Sequence, residues 1–462
     1  MPWILSVVAG LLLTAALPPF GWWPLALAGA ALLAHVVRDR GWRGRALLGF
    51  LTGLGFLVPG LFWMSEFTAP GFVVGCIFLS SFWAAALALT PSGRWAVLGL
   101  PAALVLLEAT RDGFPFEGVP VAMLAQTQVG GPAMQAGRLG GPLLIAAAVG
   151  GAGAAIAWRH LVAGAVALAV VLGGFVSPDG ETTGELTAAL VQGGGPRGTR
   201  AVDTDERIVF ERHLEASDDV PPELDLVLWP EDVVDVRSLV TGTEEGRLLA
   251  DLADRLDTTL VAGVVTGGTQ SFSNVAWSWG PDGRPGDAYE KNVRVPFGEW
   301  IPFRSLVSRL GDVSAVPRDM RAGTGPGILA TDAGRLGVVI SWEVFFARRA
   351  RVAEGEVLLN PTNAASFSTS QMPDLEVGAA RLRAVETGRW VLQAGPTGPT
   401  TVIDPRGRVH QRTTLGEREV LEATVERRSG DTPYRRLGDR PLLSLAVIGL
   451  AAAWVLTRRA AA

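Results

Sequence analysis

The sequence predicts a multi-pass α-helical membrane domain joined to a layered α/β domain. Three observations carry this. The 462-residue chain is 48% hydrophobic with a mean hydropathy of +0.31, too apolar for a soluble protein of this size. Its charge is segregated: residues 1–180 hold long uncharged stretches, 181–438 hold most of the Asp, Glu and Arg, and 439–462 turn apolar again. Within 181–438, short apolar runs alternate with helical patterns, as in α/β domains.

Apolar segments run over 3–18, 22–37, 45–65, 71–91, 95–110, 139–158, 161–177 and 440–457. Seven spans therefore precede the polar domain and one follows it, although several fall short of the usual ~20 residues. Arginine sets the orientation. Arg38, Arg40, Arg43 and Arg45 lie between spans two and three, Arg94 between four and five, Arg159 between six and seven, and Arg458 and Arg459 after the last. With eight spans all of them fall on one side, which the positive-inside rule makes cytoplasmic. The polar domain is then expected outside the cytoplasm, and loop 111–138 is expected to be external or re-entrant. The first segment lacks the basic start and small-residue cleavage site of a signal peptide.

In 181–438 the strand candidates are Leu186–Gln192, Leu224–Trp229, Thr259–Val265, Ser273–Trp279, Leu336–Ser341, Val357–Asn360, Trp390–Ala394 and Thr400–Ile403. Most are short β-branched or continuous apolar runs, as buried strands require. Helix candidates are 204–217, 243–256 and 372–388, the last with Leu375, Ala379, Leu382 and Val385 on one face.

Several function classes are excluded or weakened. A net charge of −5 and the lack of a basic patch argue against nucleic acid. The single cysteine, Cys76, permits neither a disulfide framework nor a thiolate metal site, and the four histidines are scattered, so no metal is expected. Gly193-Gly194-Gly195-Pro196 reads as a mobile loop without the context of a dinucleotide site, and no cofactor is expected.

Candidate chemistry sits at strand ends, where sites of α/β folds collect. Glu231 follows the apolar run Leu226–Trp229, and Ser341, Trp342 and Glu343 close Val338–Ile340. Lys291 is the sole lysine among 40 basic residues. Wherever a positive charge sufficed, Arg is used, so the remaining Lys marks a place for a compact ammonium whose pKa responds to burial. A carboxylate, a lysine and a hydroxyl form a set of general base, oxyanion cation and nucleophile. The plainer readings are a helix N-terminal carboxylate for Glu231, a helix cap for Ser341 and a surface residue for Lys291.

At these residues the chain resembles the apolipoprotein N-acyltransferases, membrane-embedded members of the nitrilase superfamily. Leu17-Pro18-Pro19-Phe20-Gly21-Trp22-Trp23 and Gly113-Phe114-Pro115 resemble the family's N-terminal signature and periplasmic loop. Trp229-Pro230-Glu231, Tyr289-Glu290-Lys291 and Pro296-Phe297-Gly298-Glu299 are similar to the segments carrying its catalytic Glu, its catalytic Lys and an accessory Glu. Val339 to Glu343 occupies the nucleophile segment, and Asn360-Pro361-Thr362-Asn363, Arg381 to Glu386 and Gly395-Pro396-Thr397-Gly398 fit the downstream part.

The resemblance implies a nitrilase-like α-β-β-α sandwich, a plasma-membrane location and acyl transfer from a phospholipid to the N-terminal amine of S-diacylglyceryl-cysteine in apolipoproteins. It assigns Glu231 as base, Lys291 and a backbone N–H near Trp342 as oxyanion donors, and Ser341 as nucleophile. Glu299 and Glu343 are expected to orient Lys291 and the loops, and Trp342 with Phe345-Phe346 either to meet acyl chains or to pack in the core. One departure is serious: the family's nucleophile is cysteine, followed usually by Tyr, and the usual Asn-Asp-Ala-Trp reads Asn363-Ala364-Ala365-Ser366. Cys76 lies in a predicted span and reads as a packing residue. A slower serine enzyme, a catalytically weak paralogue and an engineered Cys→Ser variant all remain open. So do a non-catalytic protein that binds lipoprotein or lipid, and an amidohydrolase.

Overall fold

The structure, a computed structural model, describes residues 1–66, 68–195, 205–310, 313–314 and 316–461. The chain divides into two compact units: residues 1–178 with 431–462, and residues 179–430.

The first unit is helical: α1 (Pro2–Ala15), α2 (Pro24–Val37), α3 (Trp42–Gly60), α4 (Ala69–Leu89), α5 (Ala96–Gly113), α6 (Gly137–Trp158) and α7 (Leu161–Val176). The first helix stops earlier than its apolar run, because Pro18 and Pro19 follow and cannot continue it. Helix α3 begins at Trp42, so Arg43 and Arg45 lie in its first turn instead of in the preceding loop. Among the described residues, three helical stretches, Ala69–Leu89, Pro132–Trp158 and Arg440–Ala460, are long and apolar enough to cross a membrane. Large apolar side chains stand exposed on α4, on α7 and on the last of these stretches, among them Val74, Ile77, Val162, Leu172, Leu445 and Ile448. Contiguous apolar surface of this kind suits hydrocarbon better than water.

The segment after α5 is packed inward. The buried Arg111 guanidinium donates to the carbonyls of Val121 (2.6 Å) and Ala122 (2.9 Å), and Glu108 accepts from the Leu124 backbone at 2.6 Å. Those bonds satisfy carbonyls and an N–H that no helix or sheet would otherwise serve. The chain returns to this unit at Asp431, before the expected boundary at 438. The reason is the short helix α13 (Pro433–Leu437), whose Tyr434 is fully buried against Gly141. A Cβ at Gly141 would stand 2.5 Å from Cζ of the ring, and the left-handed φ of +65° already favours glycine. Helix α14 (Arg440–Ala461) closes the chain. Cys76 is buried in α4, with its thiol toward the Leu57 carbonyl.

The second unit is a four-layer α/β sandwich. One sheet contains β1 (Glu181–Gln192), β2 (Leu226–Leu228), β3 (Val234–Val236), β4 (Thr259–Gly267), β5 (Ser271–Trp279), β6 (Pro285–Glu290), β7 (Asp319–Met320) and β14 (Glu419–Ser429). Its main path runs β14-β1-β2-β4-β5-β6, with β3 on β4 and β7 on β5. The other sheet is ordered β13-β12-β11-β10-β9-β8, from β8 (Ile328–Thr331), β9 (Gly334–Val338), β10 (Val357–Pro361), β11 (Val391–Ala394), β12 (Thr401–Ile403) and β13 (Val409–Arg412).

The sheets face each other through one apolar core. The first sheet contributes Leu186, Ala188 and Leu190 of β1 and Leu228 of β2, and the second contributes Val338 of β9, Leu359 of β10 and Leu392 of β11. The alternate β1 positions 186, 188 and 190 share one face because successive strand side chains point to opposite sides. A second core lies between the outer face of the first sheet and helices α8 (Glu206–Ala216) and α9 (Glu244–Leu256), with Leu249, Leu252, Ala253 and Leu256 on the buried side of α9. Thr243 caps α9 by accepting from the Gly246 backbone at 3.1 Å, and Glu244 and Glu245 suit its positive end. Later in the chain come α10 (Arg304–Leu310) and α11 (Ala347–Val352), while α12 (Met372–Thr387) packs on β11 and β12. Residue 204 of the expected helix 204–217 lies outside the described residues, as does Pro196. Gly193, Gly194 and Gly195 do not read as a mobile loop here: their backbone N–H groups donate to His213 Nε2, Pro396 O and Gly416 O at 2.9–3.1 Å.

Candidate active site

Three strand ends bring the candidate residues together. After β2 the chain stays against β4, where Trp229 N donates to Val261 O (2.8 Å) and Gly263 N to Pro230 O (3.0 Å). A Cβ on Gly263 would stand 2.5 Å from Glu231 Cα, so this approach requires glycine. Glu231 is thereby delivered at 3% exposure. After β6, Lys291 N donates to Asn274 O on β5 at 2.8 Å, and the side chain is fully buried.

The ammonium of Lys291 donates to Glu231 Oε1 at 2.8 Å and to Glu299 Oε1 at 2.7 Å. Burial alone would lower its pKa, but Glu231 and Glu299 overcome this and raise it above the ordinary lysine value. The two carboxylates thus favour the charged ammonium of Lys291. Glu299 is itself fixed by Val295 N, which donates to its Oε2 at 2.7 Å.

Strand β9 ends at Val338, three residues before the expected end at Ser341. Two bonds from backbone N–H groups hold the connection: Val339 N donates to Leu359 O (3.0 Å) and Ile340 N to the side-chain Glu343 Oε2 (2.9 Å). Ser341 then turns into the left-handed region at φ +48°, opening the short turn Ser341–Phe345. A non-glycine residue held there is strained, a state that persists where surrounding bonds over-determine it. The Ser341 side chain lies close enough to the Glu231 carboxylate to favour its charged form. Burial raises the Glu231 pKa despite the nearby Lys291 charge, and Glu299 adds to the rise. Ser341 and Lys291 thus both act on the one carboxylate of Glu231.

Glu343 does not reach Lys291. Fully buried, it accepts from the backbone N–H groups of Asn292 (2.8 Å) and Val293 (3.1 Å) and from the Tyr289 hydroxyl (2.9 Å), with Arg349 at 3.5 Å. Together with its bond to Ile340 N, it ties the chain after Lys291 to the turn bearing Ser341. Trp342 is 4% exposed and packs on Phe345 and Phe346, with ring centroids 5.2 and 6.1 Å away. These ring contacts are core packing.

Four residues near the site have roles that the sequence did not reveal. Asn274 donates from Nδ2 to Glu231 Oε1 at 2.8 Å. Asp232, at φ +58°, lies 3.5 Å from Asn363 Nδ2 through its Oδ2. Glu376 of α12 is buried and bonded to the Thr362 hydroxyl; burial pushes its pKa up to about 7, against the effect of that bond. Arg383 supports the Ser341 turn from behind, donating to the carbonyls of Val344 (3.2 Å) and Phe345 (3.0 Å) and to Glu386 Oε1 (2.7 Å). The signal for Asn274 and Glu376 was a polar residue inside an otherwise buried element. Arg383→Ala is expected to destabilise this unit by about 3–5 kcal/mol, because it strands a buried carboxylate. Chemical denaturation followed by tryptophan fluorescence would measure it; an unchanged midpoint would show that the pair does not support the turn.

A cavity of about 470 Å³ lined by Thr259, Ser278, Trp279, Asp332 and Arg335 contains none of these residues.

Residues 9–155 match the apolipoprotein N-acyltransferase N-terminal domain, and residues 187–434, more than half of the chain, match the carbon-nitrogen hydrolase family. An apolipoprotein N-acyltransferase of Mycolicibacterium smegmatis is 29% identical, over 96% of this chain and 83% of its own. One from Photobacterium profundum is 26% identical, over 99% and 95%. Nit3 of Saccharomyces cerevisiae, a member of branch 10 of the nitrilase superfamily, is 18% identical with a TM-score of 0.39, over 53% of this chain and 91% of its own. The chain belongs to the apolipoprotein N-acyltransferase family, an acyltransferase group built on a carbon-nitrogen hydrolase domain.

Proposed function

We propose that the protein transfers a fatty acyl group from a phospholipid to the N-terminal amine of an S-diacylglyceryl-cysteine lipoprotein, through an oxyester on Ser341. The observation that carries this reading is the place of Glu231, which accepts from the Lys291 ammonium at 2.8 Å and has its charged form favoured by the Ser341 side chain. In the first half-reaction Ser341 Oγ attacks the ester carbonyl and Glu231 receives its proton. Two of the three Lys291 N–H groups are engaged by carboxylates, and the third is available to the oxyanion. Collapse breaks the ester C–O bond, and Glu231 returns the proton to the departing lysophospholipid oxygen. In the second half-reaction the acceptor amine attacks the Ser341 ester, and Ser341 Oγ leaves with a proton from Glu231. Purified protein mixed with phospholipid and a diacylglyceryl-peptide is expected to yield N-acylated peptide by mass spectrometry. Release of free fatty acid or ammonia without that product would instead favour a hydrolase.

The helical unit is proposed to span the plasma membrane, with the α/β unit on the extracytoplasmic face. The distribution of Arg38, Arg40, Arg94, Arg159, Arg458 and Arg459 supports it. Reporter fusions after Arg40, Arg94 and Arg159 are expected to read cytoplasmic, and one after Gly283 external. A cytoplasmic signal at Gly283 would remove the lipoprotein substrate, which is presented on the opposite side.

A further inference from the structure

The proton count of the second half-reaction leaves one proton without a carrier. An α-amine has a pKa near 8 and arrives at pH 7 largely as an ammonium with three N–H bonds. The amide product retains one, and Ser341 Oγ takes one through Glu231. One proton must leave by another base.

The surroundings of Glu231 offer acceptors in excess. The Oδ1 of Asp232 is buried with no hydrogen-bond partner among the described residues. The Oδ1 of Asn274, whose Nδ2 donates to Glu231, is likewise buried without a partner, in a side chain only 1% exposed. A set of unpartnered acceptors beside a carboxylate fits a donor-rich cation such as an ammonium.

We propose that Asp232 is a second catalytic base, which binds the acceptor ammonium together with Asn274 Oδ1 and takes its first proton. The inference rests on the acyl transfer proposed above. The order of events balances. The ammonium gives one proton to Asp232 and becomes a neutral amine. Its nitrogen attacks the Ser341 ester, Glu231 takes a second proton and passes it to Ser341 Oγ, and Asp232 releases the first to solvent. Asp232 is half-buried as a whole residue, which leaves a way for a proton to reach solvent, while its Oδ1 is enclosed. It also faces Glu231, Glu299 and Lys291 as charged neighbours and Asn363 as a polar one. Burial, then the Glu231 charge, hold its carboxyl well above the ordinary aspartate value.

The test separates the half-reactions in the full-length protein. Asp232→Asn is expected to form acyl-enzyme from phospholipid, which also reports an intact site, yet to transfer to diacylglyceryl-peptide about 10²-fold more slowly at pH 7. The deficit should shrink as pH rises above the amine pKa. Hydroxylamine, already neutral at pH 7, should discharge the parent and variant acyl-enzymes at similar rates, and Asp232→Glu should restore part of the transfer. Equal transfer to the peptide by parent and Asp232→Asn would overturn the proposal, as would a deficit that is the same for hydroxylamine and independent of pH. A parent that forms no acyl-enzyme would overturn the underlying reading, and this proposal with it.

Discussion

Lys291→Arg is expected to lower acyl transfer by about 10²–10³-fold, the usual effect of removing one oxyanion donor. The charge is retained, but the geometry is not. The ammonium sits fully buried between two carboxylate oxygens at 2.7 and 2.8 Å, on a compact tetrahedral centre. A planar guanidinium fills more space and spreads its donors in one plane, so it cannot keep both carboxylates and still face a tetrahedral intermediate. Because Lys291 is held charged, its role does not depend on giving up a proton. Initial rates of N-acylation in detergent would check this, and parental activity in the Arg variant would return Lys291 to a purely structural role.

Substitutions at Ser341 act on the proposed nucleophile. Ser341→Ala is expected to abolish transfer. Ser341→Cys is expected to raise it, because a thiol ionises near pKa 8.5 and its thioester is the better acyl donor toward an amine. The positions of Glu231 and Lys291 are set by β2 and β6, so exchange of one side-chain atom leaves them in place. The Cys variant should also carry an acyl group that hydroxylamine removes readily. Retained activity in Ser341→Ala would mean that another group is acylated.

The parts of the fold that were legible in the sequence are those with a single environment. β1, β2, β4, β10 and β11 are central strands, and their buried stretches read as continuous apolar runs. The missed longer strands β14, β6, β13 and β8 are the four edges of the two sheets. Edge strands face water, and theirs are correspondingly charged or broken: Glu419–Ser429 carries four charged residues in its Glu422–Arg428 stretch alone, and Pro285-Gly286 opens β6. The candidate set Glu231, Lys291 and Ser341 was legible because polar residues at the ends of apolar strands stand out. Asp232, Asn274 and Glu376 were not, since their meaning depends on which strands and helices lie side by side. The same holds for Glu343, whose true partners sit about 50 residues earlier in the chain.

The most direct measurement is the mass of the tryptic peptide 336–348 after the purified protein has been incubated with phospholipid and no acceptor. The account predicts one added acyl group on Ser341, lost when diacylglyceryl-peptide is supplied and absent in Ser341→Ala. N-acyl transfer that proceeds while Ser341 never carries an acyl group, in the parent or as the Cys variant, would contradict it.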